Sequence, residues 1–158
     1  KTIIDLFEEQ VALTPDNIAV VSGDHSLTYQ LLKERSDKVA IYLQQEQDVQ
    51  PGDMVGVLLE REEQLLPVIF GILKSGGVYV PLSPHHPSAR VKGIISDSGM
   101  KALITRTEHV EALELEMASG LVDLDEAVES ISSQRPVSQS FRAKGNDLAY
   151  VIYTSGST

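Results

Sequence analysis

Five residues near the end of the chain have the composition of an anion-binding loop: Thr154, Ser155, Gly156, Ser157 and Thr158. Small hydroxyl residues around a glycine let backbone N–H groups converge on a phosphate, and the hydroxyls add donors. They follow directly on Leu148-Ala149-Tyr150-Val151-Ile152-Tyr153, which reads as a buried strand. Open α/β sheets bind ligands at the carboxyl ends of their strands, so the placement suits phosphate chemistry. The same composition also suits a solvent-exposed Ser/Gly tail, and the residues alone leave both readings open. Neither a Walker pattern nor Gly-x-Gly-x-x-Gly occurs anywhere.

Other chemistry-bearing groups read as blander features. His85 and His86 are adjacent, so their side chains point apart, and no third ligand stands at a suggestive spacing. Glu60-Arg61-Glu62-Glu63 reads as a solvated helix start rather than an acid/base cluster. Asp123, Asp125 and Glu126 lack the spacing and glycine of a calcium loop, and Gly-x-Ser-x-Gly is absent. With no cysteine, disulfides, thiolate metal sites and cysteine nucleophiles are excluded.

The elements that would position the loop follow from periodicity. Thr2 and Asp5 mark a helix start, and Ile3, Phe7 and Val11 give a short amphipathic helix that Thr14-Pro15-Asp16 ends. Ile18–Val21 and Leu27–Tyr29 flank turn residues and predict a hairpin. A helix is expected from Gln30 to about Gln47, then a strand over Met54–Leu59. Glu62–Lys74 reads as a helix in which Pro67 either makes a kink or sits in the first turn of a later start. Val78–Leu82 is a strand, Pro87 opens a helix ending near Gly99, and Lys101–Thr105 is a strand. Glu108–Met117 reads as a helix and Leu121–Leu124 as a short strand. Residues 130–147 are polar and read as a mobile loop before the last strand. Strands alternating with helices predict an α/β fold, a largely parallel sheet with flanking helices plus a short N-terminal hairpin.

The chain has 158 residues, enough for one core, and a net charge of −10. That charge argues against nucleic acid and anionic membrane surfaces as partners. No apolar run approaches the roughly 20 residues that span a bilayer, and a cytoplasmic location is expected. The missing initiator methionine suggests a piece of a longer protein.

Three stretches carry a family likeness. Leu27-Thr28-Tyr29-Gln30-Leu31-Leu32 resembles the first core motif of nonribosomal peptide synthetase adenylation domains, Leu-Thr-Tyr-x-Glu-Leu. Leu73-Lys74-Ser75-Gly76-Gly77-Val78-Tyr79-Val80-Pro81-Leu82 is similar to the second, and Leu148 to Thr158 to the start of the third. Their order and separation, with the opening "LFEEQVALTPDNIAVV", extend the likeness over nearly the whole chain. Leu31 stands where the family has glutamate, Ser83 where it has aspartate, and His86 where tyrosine is frequent.

The resemblance implies amino-acid activation with ATP and Mg²⁺, followed by transfer to the phosphopantetheine of a carrier domain, beside condensation domains of the same synthetase. It implies that residues 1–158 form the N-terminal portion of an adenylation domain whose remainder lies beyond Thr158. Thr154, Ser155, Gly156, Ser157 and Thr158 would then be the first half of the ATP phosphate loop. No catalytic residue or metal ligand is assigned here, because no lysine matches the family's catalytic motif, and the 158 residues alone are expected to be inactive. An acyl- or aryl-CoA synthetase and a non-catalytic scaffold are the alternatives, the former sharing the third motif.

Overall fold

The computed structural model of the chain describes residues 2–135. The phosphate-loop candidate, the strand before it and residues 136–147 of the expected loop lie outside the described residues. Helix α1 (Ile3–Leu13) starts on a reciprocal cap: Thr2 Oγ1 accepts from the Asp5 N–H at 3.1 Å, and Asp5 accepts from the Thr2 N–H. An antiparallel hairpin follows, β1 (Ile18–Ser22) and β2 (His25–Thr28). Thr28 then caps the 18-residue helix α2 (Tyr29–Glu46) by accepting from the Leu31 N–H.

The remaining elements build a parallel sheet. They are β3 (Met54–Leu58), α3 (Leu65–Lys74), β4 (Val78–Leu82), α4 (Ser88–Ser98), β5 (Ala102–Thr105), α5 (Thr107–Ala112), β6 (Leu121–Asp123) and α6 (Leu124–Ser132). The strands lie in the order β4-β3-β5-β6, all parallel, with Val55 opposite both Tyr79 and Ala102. Alternation along each strand divides the core. Val55, Val57, Ala102, Ile104 and Val122 pack beneath α2, α3 and α6. Leu58, Val80, Leu82 and Leu103 pack beneath α4 and the Leu113–Leu115 turn. Helices on both faces define a doubly wound sheet, as the α/β expectation required.

Four boundaries differ from expectation, each for a local reason. Helix α3 begins at Leu65 rather than Glu62, which puts Pro67 in its first turn, where a missing N–H removes no helical bond. Helix α5 stops at Ala112, five residues short of Met117. Glu114 takes the left-handed φ of 52°, and the Leu115 N–H closes back on the Val110 carbonyl at 2.9 Å. Leu113 and Leu115 thereby turn into the core. Strand β6 yields Leu124 to a helix that periodicity had not suggested, with Asp123 as its cap. That helix, α6, runs to Ser132 and so takes in the first three residues of the stretch read as a mobile loop.

Two glycines let backbone segments come together. Gly71 sits where α3 crosses α2, and a Cβ there would lie 2.4 Å from Val39 Cγ1. Gly120, at φ 86°, enters β6 so close to β5 that a Cβ would lie 2.3 Å from the Lys101 carbonyl oxygen.

Candidate functional site

Strand order reverses between β3 and β5, because β3 is followed in sequence by β4 on one side and then by β5 on the other. The crevice at the carboxyl ends of these two strands is where doubly wound sheets take ligands. Thr105, the last residue of β5, is fully buried and donates its hydroxyl to the Leu58 carbonyl at 2.7 Å, tying the two strand ends together.

Just above, Arg106 closes the crevice with a three-way clamp. Its Nε and Nη2 donate to the two carboxylate oxygens of Glu62 at 3.0 and 2.6 Å, and its Nη1 donates to Asp125 at 2.9 Å. The loop after β3, the start of α5 after β5 and the first turn of α6 are therefore held by one guanidinium whose planar fork matches a carboxylate. Hydrogen bonding to Glu62 raises the already high pKa of Arg106, outweighing the effect of burial. Asp125 is held below the usual carboxylate range, chiefly by the Thr107 N–H and then by Arg106. Asp123 caps α6 and also accepts from the Thr107 hydroxyl.

The acidic run Glu60–Glu63 is neither an acid/base cluster nor a helix start. Glu60 pairs with His85 at 3.0 Å, Glu62 with Arg106, and Glu63 with Arg35 and His25. His85 thus faces a carboxylate across the ends of β3 and β4, while the Nδ1 of His86 is buried without a hydrogen-bond partner among the described residues. A cavity of about 470 Å³ opens beside the clamp, floored by Val39, Val68 and Leu124 and rimmed by Arg35 and Arg106. Both guanidinium groups are committed to carboxylates. Among the described residues no group of three His, Asp or Glu is placed to hold a metal ion.

A second charged centre went unnoticed in the sequence. Lys74, at the end of α3, has a fully buried side chain, and its Nζ meets Ser36 Oγ at 2.8 Å, Asp37 Oδ1 at 2.7 Å and Glu8 Oε1 at 3.2 Å. Lys33 reaches the other oxygens of the same two carboxylates, at 2.8 Å for Asp37 and 3.4 Å for Glu8. Burial lowers the Lys33 pKa, but the hydrogen bond and charge of Asp37 outweigh it and the net shift is upward. The Phe7 ring lies 5.0 Å from Lys74 Nζ. This square joins α1, α2 and α3, away from the carboxyl edge of the sheet. The signals for it were the Lys33–Asp37 spacing of four on α2 and a lysine inside an otherwise apolar helix.

A parallel sheet with helices on both faces and its carboxyl-edge segments clamped together defines an α/β class of architecture. The chain belongs to the AMP-binding enzyme family, whose model matches residues 7–158. Gramicidin S synthase 2 of Brevibacillus brevis is 43% identical over 159 residues, covering 100% of this chain and 3% of that protein. Zwittermicin A synthase ZmaJ of Bacillus cereus is 44% identical over 154 residues, covering 97% of this chain and 28% of its own length. A crystal structure of a nonribosomal peptide synthetase in its alpha-methyl-L-serine-AMP bound form superposes with a TM-score of 0.85 at 29% identity, over 96% of this chain and 17% of its own. The motif resemblance is borne out, and the chain spans a small part of the curated relatives it matches. No helix among the described residues is long and apolar enough to cross a membrane.

Proposed function

We propose that this chain is the N-terminal part of an amino-acid-activating adenylation domain of a nonribosomal peptide synthetase. In the complete domain an amino-acid carboxylate attacks the α-phosphate of ATP, forming aminoacyl-AMP and releasing pyrophosphate. The aminoacyl group then passes to the phosphopantetheine thiol of a carrier domain, with Mg²⁺ as the metal and the cytoplasm as the location. The observation that carries this reading is the match of residues 7–158 to the AMP-binding enzyme family, which takes in all three motifs in order. Thr154, Ser155, Gly156, Ser157 and Thr158 supply backbone and hydroxyl donors to the phosphates that leave, stabilising the charge that grows there. The described sheet contributes the frame: Thr105 and Arg106 hold the strand ends and loops against which such a site is built.

The test is amino-acid-dependent exchange of pyrophosphate into ATP by the full synthetase. Exchange with at least one amino acid supports the reading. Exchange absent with all amino acids, together with acyl-CoA formation from a carboxylic acid, would instead favour the CoA-ligase alternative.

A further inference from the structure

We draw no further inference here: the strongest candidate, the cavity of about 470 Å³ between α2, α3 and α6 with Val39, Val68 and Leu124 at its floor, carries nothing, because both guanidinium groups on its rim are committed to carboxylates and nothing in the structure shows what covers it.

Discussion

Lys74 Nζ lies 2.7 Å from Asp37 Oδ1, and the lysine side chain has no contact with water. All three of its ammonium hydrogens have acceptors, in Ser36, Asp37 and Glu8. A buried ammonium is tolerated only when so satisfied. Removing it leaves Asp37, itself 8% exposed at the side chain, with Lys33 alone. Lys74→Met should therefore destabilise the domain by about 3 kcal/mol, the lower end of what breaking a buried pair costs, because Lys33 remains. Glu8→Gln should cost far less, since Glu8 is 36% exposed. Denaturant unfolding of the two variants checks the ranking, and equal losses would show that the square does not depend on burial.

The α2–α3 crossing makes a prediction whose sign is set by competing terms. Alanine is favoured over glycine within a helix by about 1 kcal/mol. At Gly71, however, the added methyl would meet Val39 Cγ1 at 2.4 Å and Val39 Cβ at 2.5 Å. Such overpacking typically costs about 1–3 kcal/mol, so Gly71→Ala should be net destabilising. Val39→Ala opens space at the same point. The double variant should lose less than the sum of the single losses, and strict additivity in a double-mutant cycle would refute the contact.

Much of this architecture was legible because it is written in short-range chemistry. Thr2 with Asp5, and Pro67, each act on backbone within a turn, and each stands where its cap or first turn was one of the readings. The acidic run was misread because its carboxylates find Arg35, Arg106 and His85 across 25 to 44 positions of sequence, which no local pattern reveals. The end of α5 was missed because Glu114 accepts a left-handed conformation so that Leu113 and Leu115 can bury, a tertiary demand on a residue with no turn preference. Helix α6 was missed because its serines suggest a linker, although Asp123 and Asp125 supply an N-terminal signal. The Lys74 square needs three helices at once, so only Lys33 and Asp37 share a helical period and Glu8 and Lys74 come from elsewhere in the sequence.

The Arg106 clamp should show itself in acid. Asp125 has its pKa lowered on folding, first by the Thr107 N–H and then by Arg106. A depressed folded pKa contributes stability that is present above the unfolded value and lost as pH falls through the folded one. The contribution is small because Asp125 is largely exposed. The stability difference between the unaltered protein and Asp125→Asn should be constant near neutrality and shrink below the usual carboxylate range. Arg106→Lys should reduce it at neutral pH too, because an ammonium cannot hold Glu62 by two parallel bonds and reach Asp125 as well. A difference that grows as pH falls would contradict the sign.

The proposed phosphate loop separates binding from chemistry. If Thr154, Ser155 and Thr158 donate to charge that develops on the departing pyrophosphate, their hydroxyls matter more in the transition state than in the ATP complex. Alanine at any one of them should lower kcat for exchange in the full synthetase by roughly tenfold to a hundredfold, with KM for ATP changed much less. In that reading Gly156 would act through its backbone, and replacing it by valine would block the approach of N–H groups to the phosphates. Its loss should be larger and should fall on both parameters. The same alanine variants should leave unfolding midpoints unchanged, since hydroxyls that act on the phosphates are not part of the fold's core. If KM rises while kcat holds, the hydroxyls bind the ground state and the reading of the loop as a stabiliser of the leaving group fails.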